Sequence, residues 1–213
     1  LNLLVVLSQE YDVSLINPPY GSRGRMPNNV QEYIKNRYEY TPEYYINFTE
    51  MSNRLVKKDG RIGMLVPRSF MFLKTFEEFR EAFIKKQGSF DFLAEFGIGI
   101  LDNATVRTAG IVIRSGKEAN ERGTFIRLND ADKSKKEDSF IHSGFVNDVE
   151  NGIRRRFNRD ISEFDLIPGS PLSYWVPKEI RDLYQNDTVL GKKGEYDGRH
   201  GISEIRPGIT TGD

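Results

Sequence analysis

The chain of 213 residues reads as an α/β domain whose sheet is largely parallel and ends in an antiparallel edge. Three observations predict this. Short apolar runs closed by proline or glycine alternate with segments whose apolar residues recur every three or four positions. Their order is strand, helix, strand, helix, strand, strand. After Ser115 the texture turns polar, so the alternation is confined to the first part of the chain.

Leu3, Leu4 and Leu7 are spaced as the last turns of a helix. Val13 to Ile16 is a short strand halted by Pro18 and Pro19, which have no N–H for a sheet ladder. A loop rich in Gly, Ser, Arg and Asn spans residues 21 to 29. Thr41 as N-cap and Pro42 at the first helical position predict a helix start, with Tyr44, Phe48, Met51 and Leu55 on its buried stripe. Lys57, Lys58 and Gly60 supply its stop, and Arg61 to Val66 is a strand closed by Pro67. Thr75 with Glu78 predicts a capping box, with Phe76, Phe79 and Phe83 on one face of the helix behind it. Phe90 to Phe96 and Val106 to Ile113 are further strands. Beyond them lie a strand at Thr124 to Leu128, a charged run from Asp130 to Asp138, a basic run at Arg154, Arg155, Arg156 and Arg159, and a short helix from Pro177 to Tyr184.

Composition bounds the function. Hydrophobic residues make up 38% and charged residues 29%, ordinary for a globular chain long enough to bury a core. No run of ~18 apolar residues is present, so no membrane partner is expected. The absence of cysteine removes disulfides, thiolate zinc sites and cysteine nucleophiles, and fits a cytoplasmic protein. Only two histidines, His142 and His200, occur, so no metal is expected. With 31 basic and 31 acidic residues the net charge gives no global argument for nucleic acid; any such contact must come from local patches.

The informative string is Asn17-Pro18-Pro19-Tyr20, which a chain this long contains by chance ~one time in a thousand at average residue usage. It closes a strand, where open α/β sheets bind ligands, though its composition also suits a plain strand-ending turn. It resembles the motif of amino-group methyltransferases. The resemblance implies that the Asn17 side-chain carbonyl and the Pro18 backbone carbonyl accept the two hydrogens of an exocyclic amine, freeing its lone pair to attack a methyl group. Pro19 helps fix the backbone, and Tyr20 offers a face on which a flipped base stacks. Glu43-Tyr44-Tyr45, the stretch from Gly60 to Phe70, the pair Phe79-Arg80 and the strand from Val106 to Ile113 resemble further family segments in the expected order. Ile167 to Val176 and Arg206 to Asp213 are similar to large adenine-specific DNA methyltransferases, including the BREX phage-defence enzymes and fused restriction–modification enzymes. In these, a Pro-Gly-x-x-Thr-Gly segment leads into a target-recognition domain.

The resemblance therefore implies a partial Rossmann-like methyltransferase sheet, its catalytic half at 1–115, an α+β connection at 116–165 and the start of a target-recognition region at 166–213. It implies S-adenosylmethionine as cofactor, double-stranded DNA with a flipped adenine as partner, and association with other restriction or phage-defence subunits. Arg23 and Arg25 are candidate phosphate contacts near the flipped base, with Arg154, Arg155, Arg156 and Arg159 farther out. Two departures stand. Residues 1 to 16 are too few for the βαβ unit that carries the cofactor's glycine loop. The chain is accordingly expected to be a fragment, inactive alone, of a longer enzyme. Phe96-Gly97-Ile98-Gly99 does not replace that loop, since a strand rather than a helix follows it. Leu101 stands where relatives carry a base-stacking phenylalanine. Two other readings share the motif: methylation of a protein glutamine or an RNA guanine, and a non-catalytic DNA-specificity module.

Overall fold

The computed structural model describes residues 2–101, 105–116 and 122–186. Helix α1 (Asn2–Leu7) leads into β1 (Tyr11–Ile16), followed by α2 (Asn28–Arg37), α3 (Tyr44–Leu55) and β2 (Val56–Pro67). A π-helix, Phe79–Gln87, connects to β3 (Gly88–Gly97), and β4 (Thr108–Ser115), β5 (Arg122–Arg127) and α4 (Lys136–Ile141) follow. A two-stranded ribbon of β6 (Val149–Glu150) and β7 (Ile153–Arg154), then β8 (Arg156–Asp160) and α5 (Lys178–Asn186), complete the described elements.

The main sheet has the order β1-β2-β4-β3-β5-β8. β1 is parallel to β2, and β3 is parallel to β5. β4 runs antiparallel to both of its neighbours, β2 and β3, and β8 antiparallel to β5. The α/β class is as expected, but the antiparallel strand β4 is interior rather than at an edge. Ala109, Ile111 and Ile113 fill the core from one face of β4, while Gly110 and Val112 point to the other. A strand apolar on both faces is stabilised most between two partners. The sheet also continues past residue 115, because β5 and β8 extend it.

The main core lies on one face, where Tyr45, Ile46, Phe70, Phe76, Phe79 and Phe83 pack on Ile62, Val66, Phe90 and Ile113. Phe79 and Phe83 stack at 5.1 Å, with the Tyr40 ring edge-on to both. Each such phenylalanine contributes about 2–3 kcal/mol on full burial. Phe76, Phe79 and Phe83 are thus buried on one side as their spacing predicts. On the opposite face, Phe140 of α4 packs with Phe92 and Phe96 over a smaller cluster of Ala94, Ile126 and Leu128.

Three local expectations are corrected. α3 begins at Tyr44, not at Thr41, because Ser22 and Glu43 form an antiparallel bridge and the Arg23 N–H donates to the Pro42 carbonyl at 2.9 Å. That pairing holds Glu43 extended. The helix consequently buries Tyr45, Ile46, Thr49 and Ser52, leaving Tyr44, Phe48, Met51 and Leu55 half-buried on its flank. The Thr75–Glu78 capping box is absent; Thr75 lies in an exposed 3-10 turn and no side chain caps the π-helix. The ten-residue α2 follows the loop with only Ile34 fully buried, too weak a stripe to announce a helix.

Candidate active site

β1 ends where the prolines begin. Asn17 and Pro19 are exposed, Pro18 is buried and Tyr20 is half-buried. The Tyr20 hydroxyl donates to the Leu65 carbonyl at 3.0 Å, which lashes the turn to the carboxyl end of β2. Burial lifts its phenol pKa above the usual value, so it remains a neutral donor. Gly21 continues the turn against Tyr44, whose ring carbon would lie 3.1 Å from any Cβ placed there. The Tyr44 N–H donates to the Gly21 carbonyl at 3.2 Å. The turn is therefore held on both sides, by β2 and by the start of α3. Among the described residues, none hydrogen-bonds the Asn17 side chain or the Pro18 carbonyl. Asn17 also borders an open, mainly apolar groove with Leu15, Gly63, Leu65, Gly110 and Val112. Two fixed acceptors without internal partners, at the tip of a parallel strand, are suited to receive the hydrogens of an amine.

The turn lies inside a recognisable segment. Residues 5–97 match the Eco57I restriction-modification methylase family. Over 97% of its length the chain is 27% identical to the adenine-specific methyltransferase PglX of Lacticaseibacillus casei (strain Zhang). Over 88% it is 26% identical to the adenine-specific methyltransferase BrxX of Escherichia coli O9:H4 (strain HS). The chain spans only 16% and 15% of those relatives' lengths. Its fold is similar to that of the type I restriction-modification methyltransferase subunit from Streptococcus thermophilus, at a TM-score of 0.58 and 14% identity, covering 78% of this chain and 38% of that one. A chain from a type I restriction-modification complex aligns at the same TM-score, 0.58, with 18% identity, covering 80% of this chain and 38% of that one.

Around this turn the expected arginines divide. Arg23 and Arg25 are exposed in the 3-10 turn just beyond Gly21. Arg154 is exposed and paired with Asp148 at 2.5 Å. Arg155 is not available to a phosphate: it is buried, and it forks between Asp130 at 2.9 Å and Glu150 at 2.6 Å. Burial and two carboxylate partners hold it inward, which corrects the expectation of a solvent-facing contact there. Half-buried Arg156 donates to the Gly144 carbonyl at 2.8 Å, and Arg159 to the Tyr174 carbonyl at 3.0 Å. Much of this basic run stitches the chain together.

A buried polar cluster escaped the sequence reading. Glu95, at 0% exposure on β3, pairs with Arg68 and accepts the Tyr174 hydroxyl at 2.8 Å. The available signal was a carboxylate inside an apolar strand, which a fold tolerates only with partners. Gly97 and Gly99 adopt φ of +71° and +96°, but they end β3 and precede β4 rather than opening a helix. Leu101 is half-buried; residues 102–104 and 187–213, including Arg206 to Asp213, lie outside the described residues. Among the described residues no group of three metal-ligating side chains occurs, and no helix is long and apolar enough to cross a membrane.

Proposed function

We propose that this chain is the catalytic-turn part of an enzyme that methylates the exocyclic amino group of adenine in DNA, within a restriction–modification or phage-defence system. The single observation that carries the reading is the Asn17–Tyr20 turn. Among the described residues its two acceptors have no hydrogen-bond partner, and its anchor holds to β2 within the methylase-matched segment.

The amine of adenine is conjugated into the ring, so its lone pair is a poor nucleophile. The Asn17 amide carbonyl and the Pro18 carbonyl each take one amine hydrogen, drawing the nitrogen toward tetrahedral geometry. Positive charge then develops on nitrogen, and two preorganised dipoles stabilise it without any shifted pKa. Pro18 and Pro19 hold the backbone in place, and the Tyr20 ring, fixed through its hydroxyl, supports a flipped base by stacking. Arg23 and Arg25 contact phosphates beside that base.

S-adenosylmethionine supplies the methyl group when bound. The described residues do not form its cradle: the stretch from Gly97 to Gly99 is followed by a strand, so no helix N-terminus faces a nucleotide there. Within this reading the Asn17–Tyr20 turn serves to present the amine. Subunits of the same defence system are the protein partners this reading implies.

The test is Asn17→Ala in the full-length protein, with methyladenine in host DNA read by sequencing. Loss of one of the two acceptors is expected to lower methylation about 10²–10³-fold while DNA binding persists. Unchanged methylation would sink the reading.

A further inference from the structure

A second feature lies along the carboxyl end of the sheet, the end that carries Asn17. Arg68 directly follows β2, Arg107 directly precedes β4 and Arg127 closes β5. The Arg68 N–H donates to the Arg107 carbonyl at 3.0 Å, so these two are backbone neighbours. The Arg68 guanidinium lies 5.4 Å from the centroid of Phe72, and Phe72 packs edge-on to Trp175 at 5.7 Å. The Arg127 guanidinium sits 4.8 Å from the same indole's centroid. The result is a ladder of arginine, phenylalanine, tryptophan and arginine, each rung half-buried, with exposed Arg107 beside it.

Charge and support distinguish this ladder from ordinary packing. Arg68 is braced from inside by Glu95. Among the described residues neither Arg107 nor Arg127 forms an ion pair. Asp130, which feels the Arg127 charge, is itself paired with Arg155 at 2.9 Å. Two cations thus remain unneutralised in a chain whose net charge is zero. Strands lie about 4.8 Å apart, so from β1 to β5 the rim runs roughly 19 Å, the axial length of about five or six nucleotides of one strand.

We propose that Arg68, Phe72, Trp175 and Arg127, with Arg107, form a nucleic-acid contact surface that takes the DNA strand flanking the target base. The arginines meet phosphates and the aromatic rings stack on bases, the combination that suits single strands and distorted duplexes. The surface rests on the DNA reading above and adds to it a strand path leading from the Asn17 turn across the sheet end.

The experiment is a titration of the full-length protein against a short fluorescein-labelled random-sequence duplex and the matching single strand, followed by anisotropy over a range of salt. Arg127→Gln is expected to weaken binding about 3–10-fold and to reduce the slope of log affinity against log salt by about 1. Trp175→Leu is expected to weaken binding by about 5-fold or more with the slope kept, since it removes stacking but no charge. Urea melts accompany each variant. If Arg127→Gln perturbs the fold, Arg107→Gln, an exposed position, reads the same slope change. Wild-type affinity and slope in a folded Arg127→Gln or Arg107→Gln variant overturns the surface. The outcomes separate from those of the methylation reading. A wild-type protein that binds DNA through this ladder yet methylates no adenine removes only the catalytic proposal, and one with no DNA affinity removes both.

Discussion

Asn17 and Glu95 stand near the carboxyl ends of β1 and β3, one exposed and one sealed in the interior. Asn17 keeps its acceptor available because none of the described residues claims it. Glu95 is held by Arg68 and the Tyr174 hydroxyl, since an unpaired carboxylate there would cost several kcal/mol. Burial, and then the adjacent Glu95 charge, raise the Tyr174 phenol well above its usual 10.0. The native state therefore keeps a proton that the unfolded chain gives up above its own pKa. By linkage this stability is complete below about pH 10 and is lost as pH rises further. Burial pushes Tyr45 and Tyr40 in the same direction. Urea melts across the alkaline range should show stability falling above about pH 10. Tyr174→Phe should lose about 1–2 kcal/mol at neutral pH and show a shallower alkaline decline. A decline as steep as that of the wild type would contradict this account of Tyr174.

At the scale of elements, β5 lies tight against β3 at Gly123. A Cβ there would come within 2.7 Å of the Phe90 carbonyl, which belongs to backbone and cannot swing aside. Gly123→Ala is therefore expected to destabilise by about 1–3 kcal/mol through overpacking. Gly24→Ala, where nothing lies within 4 Å, should leave thermal unfolding nearly unchanged. Equal melting shifts for the two would refute this. The contrast also marks which elements were legible. The π-helix was visible as an amphipathic face because Phe79 and Phe83 follow a helical period and need only one apolar neighbour surface. The start of α3 was misplaced because Thr41 and Pro42 carry good local helix signals that a distant pairing, Ser22 with Glu43, overrides.

For the whole molecule, Arg80 fastens the segment after residue 166 to the sheet-covering layer. Its guanidinium is buried and donates to the carbonyls of Phe70 and Leu73, both at 2.8 Å, and to Gly169 at 2.7 Å. The Leu172 N–H adds a bond to the Met71 carbonyl at 2.9 Å. This strap, residues 169–172, is thereby fixed against the segment from Phe70 to Leu73. Arg80→Met should cost about 3–5 kcal/mol by orphaning buried carbonyls. Arg80→Lys should recover little, because an ammonium cannot reproduce the planar fork. Limited proteolysis is expected to cut both variants first within residues 167–176; cleavage first in the sheet would show that the strap is not what Arg80 holds.

The amino-acid sequence alone determined the α/β class, most strands and the Asn17–Tyr20 turn, because each rests on a local rule: a period, a missing N–H, a four-residue string. Only the tertiary structure decided that β4 lies between β2 and β3, that Arg155 faces inward, and that Glu95 bonds Tyr174 across 79 residues. Those outcomes depend on which distant groups become neighbours when the sheet assembles, and burial then dictates their pairing. Local periodicity carries no record of either.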